Sequence, residues 1–147
     1  MKIRVIVPCF NEGEVVTKTY DKLTEILMKD SLDKGYDYDL LFVDDGSKDN
    51  TIDHVQYLAS LDLHVKYISF SRNFGKESAM IAGFQHSVEC DAVVMVDGDL
   101  QHPPEFIPQM IEGFQEGYDQ VIAKRDRTGE NLSLIHISER AGKADRL

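Results

Sequence analysis

The sequence is poor in cysteine, in cationic side chains and in long apolar runs, and each shortage excludes a class of protein. Its two cysteines, Cys9 and Cys90, lie far apart with no CxxC pair. That spacing argues against a disulfide scaffold or a zinc cluster and favours buried free thiols. No run approaches the ~18 consecutive apolar residues that a membrane-spanning helix needs, and the N-terminus has no cleavable signal pattern. We therefore expect no transmembrane segment in this chain and a cytoplasmic location.

Acidic side chains far outnumber basic ones. Sixteen Lys and Arg against 26 Asp and Glu give a formal net charge of −10. This is the wrong sign for a protein that binds by neutralising many phosphates, so we do not expect a nucleic-acid partner. Any small anionic substrate must then be met by a metal ion or by a few well-placed Lys or Arg side chains.

Five short β-rich runs alternate with four helical periods. The runs cover residues 3–8, 39–45, 65–70, 92–97 and 120–124, and four of them are almost continuously apolar. Continuous apolar strands are typical of a parallel sheet covered on both faces. The order βαβαβαβαβ therefore predicts an α/β fold, with a mostly parallel, Rossmann-like sheet and helices on both faces.

The polar residues between these periods predict where helices begin. Asn11, with Glu14 three residues later, is the expected cap of the first helix, and Asp49 or Asn50 that of the second. After about residue 127 the pattern breaks down. Residues 128–147 could form an edge strand or an irregular end, and we favour the irregular end.

The carboxyl ends of the strands are the place to look for a ligand site, because open parallel sheets bind ligands beyond that edge. Acidic residues follow three of the first four strands, which a purely structural sheet would not need. The polar segments there are residues 8–12, 44–47, 71–76 and 97–101.

The sharpest group follows the fourth strand, at Asp97-Gly98-Asp99-Leu100-Gln101. If this stretch stays extended, Asp97, Asp99 and Gln101 point in one direction. Such oxygen donors suit Mg²⁺ or Mn²⁺, which completes its shell with water and phosphate, so a diphosphate is the natural ligand. An ordinary turn is the alternative. His102 could add a further ligand, although we favour a supporting place in the loop.

Asp44 and Asp45 follow the second strand, where an acid commonly accepts a hydrogen bond from a ribose or a base. Turn capping, by Asp45 or Ser47, is the alternative for one of the two acids. A dinucleotide enzyme fits poorly, because the turn after the first strand has the single glycine Gly13 where that fingerprint needs three.

Two cations lie where the third helix should begin. Arg72 and Lys76 share one loop with Gly75, and the free N–H groups of a helix start favour an anion. We interpret them as phosphate-binding residues. Lys124, Arg125 and Arg127 after the fifth strand could reach the same pocket or form a solvated charge run.

Four motifs in this order resemble the family 2 glycosyltransferases of the GT-A fold. They are Val7-Pro8 with Asn11-Glu12, Val43-Asp44-Asp45-Gly46-Ser47, Arg72-Asn73-Phe74-Gly75-Lys76, and Asp97-Gly98-Asp99-Leu100-Gln101-His102-Pro103-Pro104-Glu105. The resemblance covers about residues 2–127. The long last motif points to the bacterial branch similar to dolichol-phosphate mannose synthase and other polyprenyl-phosphate glycosyltransferases.

The resemblance implies a role for each matching residue. Asp97 and Asp99 would be catalytic and, with Gln101, would hold Mg²⁺ or Mn²⁺. The nucleotide-sugar would contact Pro8, Asn11, Glu12, Asp44, Asp45, Arg72, Lys76, Gly98 and Arg125.

The resemblance also implies a reaction. A sugar would pass from a nucleotide donor, preferably a UDP-sugar, to a polyprenyl phosphate at the inner face of the membrane, by metal-assisted displacement with inversion. A lipid phosphate is largely ionised near neutral pH, so this branch can dispense with a protein base.

The resemblance further implies a domain organisation. Residues 1–127 would form a partial GT-A nucleotide-sugar-binding domain and residues 128–147 an irregular, foreign tail. Members of the branch normally continue into an acceptor-binding half, so we expect a truncated chain that holds the donor-binding half only.

Two alternatives remain. One is a nucleotide-binding fragment without catalysis. The other is a phosphohydrolase with Asp97 as nucleophile and Asp99 as acid, which usually has Thr or Val where Gln101 stands.

Overall fold

The computed structural model of the chain describes residues 1–99, 103–125 and 132–137. It contains two compact units that divide between Pro104 and Glu105. The elements are, in order, β1 (Lys2–Cys9), α1 (Val16–Lys34), β2 (Asp37–Asp44), α2 (Thr51–Leu61), β3 (Val65–Ser69), α3 (Lys76–Gln85), β4 (Ala92–Met95), a 3-10 turn (Pro104–Phe106), α4 (Ile107–Gln115), β5 (Gln120–Arg125) and β6 (Leu132–Ile137).

The first unit contains a four-stranded sheet in the order β3-β2-β1-β4. All three strand pairs are parallel, as the apolar runs predicted. The central strands β1 and β2 are buried along nearly their whole length. On one face of the sheet, Ile6, Leu41 and Val43 form a core cluster with Ala79 of α3. Side chains alternate along a strand, so the neighbouring apolar residues serve the other face.

The fifth predicted strand forms, but it does not belong to the parallel sheet. In the second unit β5 pairs antiparallel with β6, from Gln120 opposite Ile137 to Arg125 opposite Leu132. Only six residues separate β5 from β6, whereas parallel neighbours need a crossover of about a dozen or more. A strand at Leu132–Ile137 corresponds to the edge-strand alternative for that segment, not to the irregular end that we favoured.

The first helix begins later than the sequence predicted. The residue before α1 is Val15, which makes no side-chain capping bond, so the predicted Asn11 cap is wrong. Asn11 has a left-handed backbone, with φ of 51°, and its side-chain oxygen accepts from Lys48 N–H at 2.9 Å. It therefore joins two loops. At the start of α2, Asp49 accepts from Thr51 N–H at 2.9 Å.

Both cysteines are free thiols, as predicted, but only Cys9 is buried, whereas Cys90 is half-buried. Burial, reinforced by the charge of Asp44, raises the pKa of Cys9 far above its usual range. Its thiol is therefore protonated and unreactive. Within the described part of the chain, no helix has the length and apolar character needed to cross a membrane.

Candidate functional site

Loops at the carboxyl edge of the parallel sheet border a cavity of about 150 Å³. The cavity is lined by Pro8, Cys9, Phe10, Glu12, Asp45, Lys76, Ala79, Asp97, Gly98 and Asp99. The ends of β1, β2 and β4 and the first turn of α3 therefore meet where the topology predicted. Cys9, Phe10 and Ala79 were not predicted as site residues, since nothing in the sequence separates them from ordinary apolar residues.

Other predicted residues lie elsewhere. Asn11, Asp44 and Arg72 are outside the cavity lining. Gln101 and His102 lie outside the described residues, and Arg125 ends β5 in the second unit. Their expected contacts with donor or metal stay predictions.

Asp97 and Asp99 both border the cavity, although Gly98 and Asp99 form a turn instead of an extended strand. β4 ends at Met95, and Gly98 and Asp99 lie in a turn. The expectation that side chains two residues apart point in the same direction therefore does not hold for this turn. Gly98 packs closely on the end of β1, where an added Cβ would lie 2.9 Å from the Pro8 carbonyl oxygen. This close approach positions the two aspartates at the rim.

The side chain of Thr19 in α1 forms a hydrogen bond with this turn. Its hydroxyl donates to the Gly98 carbonyl at 2.8 Å, and the residue is fully buried. Sequence analysis missed Thr19. The available signal was a hydroxyl residue on the apolar face that Val16, Leu23 and Leu27 define.

Lys76 contributes a positive charge to the cavity. It is the first residue of α3, and its Nζ lies 2.5 Å from Asp97 Oδ1. The lysine side chain is 60% exposed and that of Asp97 is 21% exposed. The sequence predicted a cation here but not its pairing with Asp97.

Negative charge accumulates around this cavity. Burial, together with the charges of Asp99, Asp49 and Asp97, raises the pKa of the Glu12 carboxyl. A bound cation would relieve the repulsion that raises the pKa of Glu12. The electrostatics therefore favour a cationic ligand.

The two acids at the end of β2, Asp44 and Asp45, form hydrogen bonds with loops of the protein. Asp44 is buried and accepts from the Ser47 hydroxyl. Asp45 accepts from Phe74 N–H at 2.8 Å, from Gly75 N–H at 3.1 Å and from the Asn73 amide at 3.1 Å. Turn capping thus describes these contacts of both acids, and Asp45 also borders the cavity. The ribose or base contact stays a prediction.

Gly46 lies where the loop after β3 crosses the turn after β2. Its φ is +70°, and an added Cβ would lie 2.2 Å from the Arg72 carbonyl carbon and 2.4 Å from Asn73 N. Only glycine fits this position. Nearby, the Arg72 guanidinium stacks 4.5 Å from the centre of the Phe74 ring.

The described residues contain no group of three or more His, Cys, Asp or Glu that could hold a metal ion. Asp97 and Asp99 do border one cavity. Mg²⁺ that binds with a diphosphate takes one or two carboxylates and completes its shell with phosphate oxygens and water. The two aspartates therefore fit a cation whose coordination the ligand completes.

Residues 4–146 match the sequence model of the family described as Glycosyl transferase family 2. The chain belongs to this family. Among curated family members, it is 47% identical over 130 residues to the putative glycosyltransferase CsbB of Bacillus subtilis, which covers 88% of this chain and 38% of the relative. It is 46% identical over 125 residues to the bactoprenol glucosyl transferase of Shigella phage SfX, covering 85% and 39%. The chain thus spans well under half the length of these relatives.

Solved structures support the GT-A fold of this family 2 chain. The mannosyltransferase PcManGT from Pyrobaculum calidifontis, in complex with GDP-Man and Mn²⁺, matches 87% of this chain and 36% of its own, with a TM-score of 0.69 at 21% identity. TarS 1–349 of S. aureus, in complex with UDP, matches 79% of this chain and 32% of its own, with a TM-score of 0.57 at 24% identity. At these identities the likeness shows the fold alone.

Proposed function

We propose that the chain is the donor-binding part of a glycosyltransferase that moves a sugar from a nucleoside diphosphate donor to a polyprenyl phosphate. The observation that carries this proposal is the meeting of Asp97, Asp99 and Lys76 at one cavity beyond the parallel sheet. Carboxylates suited to a divalent cation and an ammonium group suited to phosphate are what a diphosphate bridge requires.

The similar proteins support the two substrates. Relatives named bactoprenol glucosyl transferase favour a polyprenyl phosphate acceptor. The neighbours bound to UDP and to GDP-Man favour a nucleotide donor, and we prefer a UDP-sugar. An acceptor of this kind lies in a membrane, so we propose that the full-length protein works at the inner face of the cytoplasmic membrane.

Different residues of the cavity bind different parts of the donor. Pro8, Glu12 and Asp45 face the nucleoside, and Lys76 neutralises charge on the phosphates. A divalent cation, Mg²⁺ or Mn²⁺, held by Asp97 and Asp99 would supply Lewis-acid stabilisation of the leaving nucleoside diphosphate. The ionised acceptor phosphate attacks the anomeric carbon from the opposite side and inverts it, without needing a protein base.

Calorimetric titration with UDP, UDP-glucose and GDP-mannose, each with and without Mn²⁺, tests this proposal. We expect metal-dependent binding of one nucleotide. Asp99→Ala should lower its affinity at least about tenfold, or about 1.4 kcal/mol. Asp21→Ala is the matched control, because Asp21 is an exposed acid of α1 outside the cavity. Equal affinity after chelation of the metal would refute the metal-bridged donor site.

A transfer assay tests the reaction itself. Sugar transfer from the bound nucleotide to a lipid phosphate supports a transferase. Nucleotide binding without transfer supports the alternative of a binding fragment. Release of inorganic phosphate that disappears in Asp97→Asn would instead support the phosphohydrolase.

A further inference from the structure

We propose that Lys76 is an exchanging counter-ion. In the donor-free protein its ammonium group pairs with Asp97, and in the donor-bound protein it moves to the donor phosphates and releases Asp97 to the metal ion. This inference rests on the proposed function and adds to it that cation and donor bind cooperatively.

The contact between Lys76 and Asp97 carries the first step. Lys76 Nζ lies 2.5 Å from Asp97 Oδ1, so the ammonium group occupies one oxygen that a metal ion would need. A metal ion that binds alone must displace this ammonium group first. Metal binding without donor is therefore weakened by the ion pair.

The charge around the cavity explains why the ion pair forms. Among the residues that line it, Lys76 is the one cation and Glu12, Asp45, Asp97 and Asp99 are acids. The pairing neutralises part of this excess in the donor-free protein. A diphosphate brings strong acceptor oxygens of its own and competes for the same ammonium group.

Lys76 is also the partner that can move. Its side chain is 60% exposed on a flexible four-carbon stem, whereas that of Asp97 is 21% exposed. The backbone before it is anchored, because Asp45 accepts from Gly75 N–H at 3.1 Å. The ammonium group can therefore turn from Asp97 toward a ligand while the start of α3 stays in place.

Exchange predicts cooperative binding of metal and donor. Phosphate that removes Lys76 from Asp97 improves the metal site, and the reciprocal effect on donor affinity must be equal. Removing the lysine charge should therefore tighten the binding of metal alone and weaken the coupling. A lysine that only contacts phosphate would leave the affinity for metal alone unchanged.

The test is a titration of the full chain with Mn²⁺ alone. The concentration of free Mn²⁺ is measured by electron paramagnetic resonance. Lys76→Met should bind Mn²⁺ roughly threefold more tightly than the unchanged chain, because exposed ion pairs contribute little. Lys76→Arg keeps the charge and should behave like the unchanged chain. Lys29→Met is the matched control, since Lys29 is an exposed lysine of α1 outside the cavity and its loss changes the net charge equally.

The same variants are then titrated with UDP, with and without Mn²⁺. Exchange predicts that the gain in UDP affinity caused by Mn²⁺ is smaller in Lys76→Met than in Lys29→Met. Circular dichroism checks that each variant is folded. A Mn²⁺ affinity in Lys76→Met equal to or below that of the unchanged chain overturns the exchange.

The two titrations separate the two proposals. Tighter Mn²⁺ binding in Lys76→Met with no UDP binding by any variant, with or without Mn²⁺, would overturn the proposed function and with it the exchange. Mn²⁺-dependent UDP binding with unchanged Mn²⁺ affinity in Lys76→Met would overturn the exchange alone.

Discussion

The two ends of the parallel sheet differ in how their charged side chains are arranged. At the amino end, Arg4 of β1 is 3% exposed, and its guanidinium contacts both carboxylate oxygens of Asp39 in β2, at 2.7 and 2.9 Å. Glu89 lies 3.3 Å from the same guanidinium, and Lys2 lies 3.5 Å from Asp39. Each of these four charges has a partner of the opposite sign.

At the carboxyl end acids predominate, and the pKa values reflect the difference. Burial acts to raise the pKa of Asp39, but the hydrogen bond and charge of Arg4 outweigh it and hold the pKa below its usual range. For Glu12, burial and neighbouring acids act in the same direction and raise the pKa. Paired charge at the amino end stabilises the fold, whereas the excess of acidic side chains around the cavity favours a cationic ligand.

Breaking the matched pair should have the largest effect. Asp39→Asn leaves the buried guanidinium of Arg4 without its carboxylate, so we expect the free energy of unfolding to fall by about 3 kcal/mol. Urea denaturation measures this loss. Donor and metal affinity of the folded variant should not change, because Asp39 lies at the other end of the sheet.

Acid should remove the contribution of the Arg4–Asp39 ion pair to the free energy of unfolding in the unchanged chain. The folded pKa of Asp39 lies below its unfolded value of about 3.9, so its stabilisation is complete above that pH and is lost as the pH falls through the folded pKa. Stability below about pH 4 should therefore fall more steeply in the unchanged chain than in Asp39→Asn. Parallel pH profiles would contradict this account of the pair.

A smaller effect is expected from Asp45→Ala at the carboxyl end. The change removes the acceptor of Phe74 and Gly75 N–H, which should cost about 2 kcal/mol and loosen the loop that precedes Lys76. Hydrogen exchange at these two amides should accelerate, and donor affinity should fall. Asp53→Ala on α2 is the control, and unchanged protection at Phe74 and Gly75 would show that Asp45 does not hold the loop.

The smallest effect is expected from Thr19→Val. The change keeps the shape but removes the hydroxyl that donates to Gly98, which should cost about 1 kcal/mol of stability. Because the turn presents Asp97 and Asp99, Mn²⁺-dependent nucleotide binding should weaken as well. Thr19→Ser keeps the hydroxyl and should restore that binding. A stability loss without any change in nucleotide binding would make Thr19 purely structural.

Local pattern was enough to predict the four parallel strands and the edge of the sheet at which the cavity lies. Buried parallel strands need continuous apolar runs, and β1 and β2 have them. The rule that ligands bind at carboxyl ends then placed Asp97 and Lys76 at one edge. Both inferences depend on periodicity within a few residues of chain.

The specific contacts depend on register and rotamer, which local pattern does not contain. Arg4 and Asp39 are 35 residues apart and meet because β1 and β2 pair in that register. The Asn11 cap failed because its side chain reaches Lys48 of another loop. The turn at Gly98 depends on a close approach to β1 that only the folded chain defines.

The close contact between Gly46 and the backbone of Arg72 and Asn73 limits how the loops at the carboxyl edge of the sheet can be redesigned. The turn that contains Gly46 and the segment around Arg72 and Asn73 touch so closely that no side-chain atom fits between them. A segment grafted alone must follow the same backbone path, because any shift toward its neighbour would bring the two backbones into collision. An engineer who redesigns this edge of the sheet should therefore transplant both segments as one cassette.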